Sequence, residues 1–392
     1  MPEGWETTSL GEICTFISGG TPSKENKSYW GGEFPWVSAK DLKQLVITSA
    51  ELKLTEEGVK SGTKVAPKGS ILVLVRGMML MKDLPVGYVY REVAFNQDIK
   101  ALIPKYGFSG LFLAYTLIAQ KKQILDLVET AGHGTGRLDI EKLKQFTIDY
   151  PTCLDEQEKI LCVLATCEHT IDLTAQLIAA KQQRKRGLMQ QLLTGQRRFG
   201  EFANTPWPSL KAGDIFQPHS RRKNGDEELL SVTQERGVIP RSMLDARVVM
   251  PAGETESYKL VEPGDFIISL RSFQGGIEYS EYRGLVSPAY TVLKPKQSIV
   301  DSFYKHLFKS RDFISRLGVA IIGIRDGKQI NFEDFAAMRL AYPMLDEQKR
   351  IAEVLDTCDS ELALLDRKLE LLKKQKQGLM QQLLTGKIRV NT

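Results

Sequence analysis

Asp41, Glu51 and Lys53 are the residues whose types and spacing come nearest to a catalytic centre. Two carboxylates and a lysine are the elements of a metal-dependent nuclease. Such triplets also arise by chance in charged sequences, and the second half of the chain has no equivalent triplet. A methyltransferase acting on an amino group would need an Asn- or Asp-Pro-Pro-aromatic motif, which the sequence lacks. We therefore expect a chain with no catalytic residues of its own.

Neither of two glycine-rich stretches predicts a nucleotide site. In GIRDGK (residues 323–328) the glycine spacing is one residue short of a phosphate-binding loop, and Gln329 stands where Ser or Thr is required. AGHGTGR (residues 131–137) precedes a weak helix and follows no clear strand.

The cysteines form no Cys-x-x-Cys pair, and the four histidines are scattered among them, so neither a zinc site nor a disulfide framework is expected. The cysteines are Cys14, Cys153, Cys162, Cys167 and Cys358.

Composition indicates a soluble, multidomain chain. It has 392 residues, of which 42% are hydrophobic and 26% charged, and a length of roughly 100 to 200 residues per domain suggests more than one core. The net charge of +5 permits an anionic partner without demanding one. The longest apolar run, Ile71 to Met81, is interrupted by Arg76 and is too short to span a membrane. With no secretory signal visible at the N-terminus, we expect a cytoplasmic protein.

An internal repeat organises the sequence. GLMQQLLTG occurs at residues 187–195 and again at residues 378–386, and LDEQEKI is mirrored by LDEQKRI before the second copy. Trp207 precedes AGDIF as Trp5 precedes LGEI, and VEPGDFIISLR matches APKGSILVLVR. The repeat predicts two α/β (α+β) domains and two long helices with pseudo-twofold symmetry, divided as domain 1 at residues 1–152, helix 1 at 153–197, domain 2 at 198–344 and helix 2 at 345–392.

Local patterns predict the elements of the first domain. Residues 18–34 are expected to form a loop, because they are rich in Gly, Ser, Pro and Lys. The period of apolar residues from Ser109 to about Thr130 favours one amphipathic helix. A short helix around Asp139 to Gln145 and the strand FTIDYP follow, and the earlier strand candidates are Ile71 to Val75, Tyr88 to Val93 and Ile99 to Ile103.

The two helices carry a heptad pattern. The 33 residues from Leu154 to Arg186 contain no proline or glycine, and a helix from Asp155 to Leu193 would be on the order of 58 Å long. In helix 2 the apolar stripe, interrupted only by Lys376, is Cys358, Leu362, Leu365, Leu369, Leu372, Lys376, Leu379 and Leu383. The equivalent stripe of helix 1 is poorer, and a face of Leu173, Leu177 and Ala180 is an alternative; its members are Cys167, Ile171, Thr174, Ile178, Lys181, Lys185, Leu188 and Leu192.

We expect these stripes to pack on each other in an antiparallel coiled-coil rod, with the shared lysines Lys185 and Lys376 fixing the register. The alternative is that each helix packs on its own domain. Gly187 and Gly378 lie inside the helices at a cost of roughly 1 kcal/mol each, which predicts a close neighbour there, either the opposing helix or a partner subunit. The predicted helix and partner contacts are Gly187, Leu188, Leu192, Gly378, Leu379 and Leu383.

This layout resembles the specificity subunit of type I restriction-modification systems over nearly the whole chain. PWVSAKDL and LLSVTQERGVIP look like the family's motif near the start of each domain, and IDYPTCLDEQEKI and LAYPMLDEQKRI look like its junction between domain and helix. The resemblance implies two target recognition domains, each reading one half of a split double-stranded DNA site. It also implies docking of two methylation subunits and of motor-nuclease restriction subunits, which would carry S-adenosylmethionine, ATP and Mg²⁺.

If the chain reads DNA, lysine and arginine should contact phosphates, and Arg, Lys, Asn and Gln should reach base edges. Arg76 and Arg271 rank highest, because each ends an apolar strand at equivalent positions of the repeat. The candidates in the first domain are Lys24, Lys27, Lys40, Arg76, Lys82 and Arg137, and those in the second are Arg221, Arg222, Lys223, Arg271, Gln274, Arg325 and Lys328.

Two other functions stay open at this point. A coiled-coil scaffold could join proteins without touching DNA, and the chain could serve a fused restriction-methylation enzyme. A homodimer joined through the helix ends is a further alternative for the isolated chain.

Overall fold

The computed structural model describes residues 2–105, 107–131, 134–222, 227–234, 236–244, 255–320 and 330–390. The chain divides into two compact units. The first unit comprises Met1–Ala175 and Lys368–Thr392, and the second comprises Gln176–Arg367. Each long helix therefore contributes one part to each unit.

The first unit is a mixed domain of short strands and helices. Its helices are α1 Leu10–Ile13, α2 Glu56–Lys60, α3 Gly110–Ala119, α4 Lys121–Leu125 and α5 Ile140–Gln145. Its strands are β1 Trp5–Ser9, β2 Cys14–Ser18, β3 Trp30–Val37, β4 Val46–Ile47, β5 Leu52–Leu54, β6 Lys64–Ala66, β7 Ile71–Leu74, β8 Arg76–Gly77, β9 Val86–Val89, β10 Val93–Phe95, β11 Ile99–Pro104, β12 Val128–Ala131, β13 Thr135–Leu138 and β14 Thr147–Pro151.

The described part of this unit contains four sheets, in the orders β2-β11-β7-β9-β4, β5-β3-β10-β6, β12-β13-β8 and β1-β14. Among the described strands of the unit only β3 with β10 and β4 with β9 pair in parallel, so the domain is of the α+β type. The strand Ile71–Leu74 is buried on both faces, because all four of its apolar side chains belong to the core of the unit.

Three sequence predictions for this unit are wrong in detail. The expected single helix from Ser109 to Thr130 is two helices broken at Gln120, followed by β12, whose pairing with β13 overrides the helical pattern. The expected strand Tyr88 to Val93 is split, since β9 and β10 belong to different sheets. The expected loop at residues 18–34 already contains the start of β3, where a bulge accommodates Gly32 against Leu54.

The second unit repeats the arrangement with fewer strands among its described residues. Its strands are β15 Ser209–Lys211, β16 Phe216–His219, β17 Leu230–Thr233, β18 Gly237–Pro240, β19 Lys259–Val261, β20 Phe266–Ile268, β21 Glu278–Tyr279, β22 Gly284–Val286, β23 Thr291–Pro295 and β24 Arg339–Ala341. Its helices are α7 Ala212–Ile215, α8 Ser272–Gly275, α9 Asp301–Leu307, α10 Arg311–Ala320 and α11 Phe332–Ala337.

Sheet pairing in the second unit echoes the first. β15 pairs with β24 as β1 pairs with β14, and the larger sheet runs β16-β23-β20-β21. A cluster of aromatic rings fills the core, in which Phe216 contacts Tyr304, Phe308 and Phe335 at centroid distances of 5.3 to 6.0 Å. The predicted two-domain α+β repeat is thus present.

The two long helices are α6, Leu154–Leu193, and α12, Leu345–Leu383. Both lengths agree with the sequence prediction. Gly195 and Gly386 follow the helix ends with φ of +74° and +68°, a left-handed conformation that glycine adopts without strain and that stops a helix.

Within each unit, α6 and α12 run antiparallel. In the second unit Lys181 pairs with Glu361 at 2.5 Å and Lys185 pairs with Asp359. In the first unit Lys376 pairs with Glu168. Lys185 and Lys376 are equivalent in the repeat, as are Asp359 and Glu168, so the same lysine–carboxylate bridge occurs once in each unit.

Side-chain burial settles which face of each helix is packed. All eight predicted stripe positions on α12, and all eight on α6, are buried or half-buried. Leu173, Leu177 and Ala180, the alternative face of α6, are exposed. Thr174 is buried despite its hydroxyl, because its Oγ1 donates to the carbonyl of Thr170 at 2.7 Å.

No helix in the described part of the chain is long and apolar enough to cross a membrane.

The packed stripe predicts unequal effects for two neighbouring leucines of α12. Leu369 is half-buried in the stripe, whereas Leu371 is 58% exposed. We expect Leu369→Ala to lower the free energy of unfolding by about 1–2 kcal/mol, below the roughly 2–5 kcal/mol of a fully buried leucine. Leu371→Ala should change it by less than about 0.5 kcal/mol. Urea unfolding of both variants measures this, and the reverse order would show that the wrong face has been assigned.

Candidate nucleic-acid interface and domain–helix junctions

The predicted DNA-contacting residues that the structure describes are all exposed to solvent. Lys223, Arg325 and Lys328 lie outside the described residues. Lys24 and Lys27 belong to the segment before β3, Lys40 follows β3, and Arg221 and Arg222 follow β16. No described contact joins these five residues into one site, so their role stays a prediction.

Arg76 and Arg137 are brought together. They are register partners across the antiparallel strands β8 and β13, next to the partners Gly77 and Gly136. Directly opposite side chains of like charge repel. Neither guanidinium forms an ion pair within the described chain, and Asp139, the carboxylate that acts on Arg137, is occupied by the backbone amides of α5. The pair therefore suits an external anion, and guanidinium binds phosphate with two parallel hydrogen bonds.

The equivalent place in the second unit carries a different surface. Arg271 immediately precedes α8, and Gln274 lies within that short helix with its side chain exposed. The Arg271 carbonyl accepts a long hydrogen bond of 3.4 Å from Gln234 Nε2, while no ion pair within the described chain uses its guanidinium. Arginine and glutamine are both residues that read base edges.

Asp41 has a structural role. Its carboxylate accepts from the backbone amides of Ser38 and Glu51, each at 2.8 Å, which fixes the turn after β3. Lys53 pairs with Glu33 at 3.4 Å. The triplet of Asp41, Glu51 and Lys53 therefore serves local folding, and its geometry gives no support to a nuclease centre.

A buried carboxylate forms the junction between domain and helix in the second unit. Glu347, in the first turn of α12, has a side chain only 1% exposed. Arg198 Nε and Nη2 donate to its two oxygens at 2.8 and 2.7 Å, and Trp207 Nε1 donates at 2.7 Å. Gly195 lies against the Trp207 ring, where an added Cβ would sit 3.4 Å from the ring atoms. The start of α12, the segment after the end of α6 and the start of the second domain thus meet at one ion pair.

The first unit contains the same junction. Arg389 Nε and Nη2 donate to Glu156 at 2.5 and 2.7 Å, and Trp5 Nε1 donates to the same carboxylate at 3.3 Å. Gly386 packs against the Trp5 ring as Gly195 packs against Trp207. We call this arrangement, Glu156–Arg389–Trp5 in one unit and Glu347–Arg198–Trp207 in the other, the junction clasp. The carboxylate raises the pKa of Arg198 and of Arg389.

The glutamine after each clasp glutamate holds the domain itself. Gln157 Oε1 accepts from the amide of Ser109, and its Nε2 donates to the carbonyl of Pro151. Gln348 does the same with Val300 and Pro343. The repeated letters LDEQ therefore encode a helix start whose glutamate binds the far helix end and whose glutamine binds two segments of the domain.

Sequence reasoning recognised LDEQ and GLMQQLLTG but missed the arginines. Arg198 and Arg389 both stand three residues after the glycine that ends GLMQQLLTG. That shared position was visible in the sequence. The neighbouring letters differ, QRR in one copy and KIR in the other, which hid the match.

A polar cluster joins the second domain to the paired helices. His306 is 3% exposed; its Nε2 lies 2.9 Å from Asp356, and its Nδ1 lies 3.9 Å from Asp359. Ser302 donates to Asp356 at 2.6 Å, and Lys185 pairs with Asp359. Burial lowers the pKa of His306 although Asp356 acts to raise it.

Tyr115 is the counterpart of this histidine in the first unit, with Glu168 and Lys376 beside it. Burial and the Glu168 carboxylate raise the pKa of Tyr115.

The repeated GLMQQLLTG divides into packed and open positions. Leu192 lies in the core of the second unit with Leu188 against it, and Leu383 lies in that of the first with Leu379 against it. Gly187 and Gly378 are exposed, and a Cβ added at either would meet no described atom within 4 Å beyond its own helix and chain neighbours. The expectation that the opposing helix approaches these glycines is therefore wrong, and contact with a partner subunit stays a prediction.

A family model described as "Type I restriction modification DNA specificity domain" matches residues 2–181 and 201–374. The two matched segments cover most of the chain, one for each half of the repeat.

Curated relatives are named as specificity subunits of type I restriction enzymes. The chain is 35% identical over 162 residues to the type I restriction enzyme EcoR124I/EcoR124II specificity subunit of Escherichia coli, a match covering 41% of this chain and 39% of that protein. It is 23% identical over 420 residues to the type I restriction enzyme MjaVIII specificity subunit of Methanocaldococcus jannaschii, covering 100% of this chain and 94% of the relative. The first similarity thus spans about two fifths of the relative's length.

Solved structures share the fold. The S subunit of a type I restriction-modification system from M. genitalium superposes with a TM-score of 0.53 at 15% identity, covering 97% of this chain and 96% of that one. A chain from work on complex assembly and conformational transition of the type I R-M system gives 0.65 at 18% identity, with 99% of both chains covered. At these identities the similarity supports the fold alone.

The junction clasp predicts different effects for two adjacent arginines. Arg198→Ala leaves the buried Glu347 carboxylate without two charged donors, and removing one partner of a buried ion pair lowers stability by about 3–5 kcal/mol. Arg197→Ala removes the same charge from an exposed side chain and should change stability by less than about 0.5 kcal/mol. Thermal unfolding with hydrogen exchange at the start of α12 measures both. Equal stability of the two variants would contradict the clasp.

Proposed function

The chain belongs to the type I restriction modification DNA specificity family, and we propose that it reads a split duplex target with one domain on each half. It is a specificity subunit by family, and it would direct the chemistry of other subunits. In this proposal the first domain reads one half-site, the second reads the other, and the surfaces repeated at the helix ends recruit methylation and restriction subunits.

One observation supports this proposal above the others: two domains with different surfaces are held by the same junction clasp. Divergent surfaces suit different base sequences, whereas a repeated attachment holds each reader to its helices in the same way. The paired arginines Arg76 and Arg137 in one unit, and Arg271 with Gln274 in the other, are the surfaces that differ.

We infer that α6 and α12 form a coiled-coil rod that sets the distance between the half-sites. Their antiparallel lysine–carboxylate bridges support this inference in each unit. Half-sites read from one face of B-DNA are separated by about 34 Å or a multiple of it. Helices of about forty residues are long enough to hold readers at such a spacing.

The chemistry is assigned to the partner subunits. S-adenosylmethionine would bind the methylation subunits, and ATP and Mg²⁺ the restriction subunits, so this chain would act in a cytoplasmic complex without catalysing a step. A fused restriction-methylation partner would be served by the same surfaces.

Mapping modified bases tests the proposal directly. In a host that carries this gene with its partner genes, we expect methylated bases at a single motif of two defined halves and an undefined spacer. A duplex with that motif should bind the complex with an affinity that falls roughly 10³- to 10⁵-fold from 50 to 200 mM salt if six to ten phosphates are contacted. Replacing either half should weaken binding.

A motif that does not depend on this gene, or binding that ignores both salt and sequence, would favour the scaffold that joins proteins without touching DNA. Deleting the gene while keeping its partners is the matched control.

Gly187 and Gly378 test recruitment. Because no described atom of the chain fills the space beside them, Gly187→Trp and Gly378→Trp should fold normally. If each glycine faces one methylation subunit, either variant should bind one copy fewer by native mass spectrometry. Gly187→Ala is the control; it should stabilise the helix by roughly 1 kcal/mol and retain both copies. Full recruitment by the tryptophan variants would place the docking surface elsewhere.

A further inference from the structure

The helical turn Met78–Met81 places three long apolar side chains in solvent. Met78 is 73% exposed, Met79 41% and Met81 49%. Leu80 of the same turn is only 2% exposed and belongs to the core of the first unit. Single exposed apolar residues are ordinary, but adjacent ones on one turn form a patch that favours contact with a partner.

The turn has a fixed base. Gly136 of β13 lies directly beneath it, and a Cβ there would come within 2.9 Å of Leu80 and 3.1 Å of Val128. The amides of Lys82 and Asp83 both donate to the carbonyl of Met79, at 3.0 and 2.9 Å, which closes the turn. The exposed methionines are thus presented by a rigid platform.

Positive charge surrounds the methionines. Arg76 lies two residues before the turn, and Arg137 lies opposite it on the adjoining strand β13. Lys82 follows the turn immediately. None of the three cations forms an ion pair within the described chain. An apolar centre with cations on its border fits a ligand that has stacked apolar faces and a negatively charged outline, and duplex DNA has both.

We propose that Met78, with Met79 beside it, inserts between two stacked base pairs while Arg76 and Arg137 bind the flanking phosphates. The inference rests on the proposed DNA-reading function and specifies how the first unit reads its half-site. An inserted apolar side chain unstacks a base step and kinks the duplex. Pyrimidine–purine steps unstack most easily, so the half-site of the first domain should contain one beneath the turn.

The second unit would read its half-site differently. The turn after Arg271 is α8, where the exposed Gln274 offers an amide donor and acceptor in place of a methionine. An amide selects bases by hydrogen bonds to their edges, whereas an inserted methionine favours base steps that cost little free energy to unstack. The two units therefore combine two kinds of sequence reading.

Three variants test this inserted side chain, which we call the wedge. Each variant is assembled with its methylation subunits and is mixed with a duplex that contains the motif found by mapping modified bases in the genome. Met78→Gln keeps the length of the side chain but makes it polar, Met78→Leu keeps it apolar, and Met344→Gln is a control on a 53% exposed methionine before α12. Duplex bending is followed by energy transfer between end labels. Unstacking is followed by 2-aminopurine fluorescence scanned through the half-site of the first domain.

We expect the wild-type complex to bend the duplex and to raise 2-aminopurine emission at one step. Met78→Gln should lose both signals and bind about tenfold more weakly with an unchanged salt slope, since a wedge contributes through unstacked bases and not through phosphates. Met78→Leu and Met344→Gln should behave like wild type. Arg76→Ala should reduce the salt slope by about 1.

Wild-type signals retained in Met78→Gln would overturn the wedge. So would wild-type binding that depends on salt and motif but neither bends nor unstacks the duplex, an outcome that leaves the proposed function intact. Failure of the wild-type complex to bind the mapped duplex would overturn both. Loss of a protein subunit from the Met78→Gln complex, with DNA signals unchanged, would assign the turn to a protein contact instead.

Discussion

A buried carboxylate at the edge of a tryptophan ring, and the guanidinium that neutralises it, determine how each domain is attached. Glu156 and Glu347 have side chains 3% and 1% exposed. A charge removed from water in this way is tolerated only when paired and fully hydrogen-bonded. The planar fork of arginine satisfies both oxygens at once, which lysine does not, and the indole N–H supplies a further donor. Because these donors come from a helix end and a domain start, satisfying one carboxylate fixes three segments together.

The paired helices depend on a second set of satisfied polar groups. Their stripe is not uniformly apolar: Lys185 and Lys376 interrupt it, and Thr174 lies buried in it. Each lysine meets a carboxylate on the other helix, and the threonine hydroxyl returns to its own backbone. A shift of register by one heptad would separate both lysines from their partners, so these polar positions select one alignment where leucines alone would accept several.

The sequence predicted most where a pattern is local. Long helices, their glycine stops and the packed stripe follow from periodicity and composition, and the poorer stripe of α6 was recovered because its equivalent in α12 is clear. The predictions were wrong where pairing with distant strands determines the secondary structure. β12 lies in residues with helical spacing, and β3 begins among glycines because a bulge there interrupts its pairing with β5. The clasp arginines and the methionine turn escaped notice since their partners are far away in the chain, and only folding shows that Arg76 faces Arg137.

The composition of the two units bears on the order in which the chain acquires structure. The second unit is continuous, from Gln176 to Arg367, so a ribosome delivers all of it in one stretch. The first unit needs Lys368 onward to supply Arg389 and the apolar residues Leu383 and Leu384 that complete its core. Domains fold as their residues emerge, and contacts between distant residues form late. The core of residues 10–148 can therefore form early, whereas Glu156 has no arginine to pair with until the residues that follow the second long helix have been synthesised.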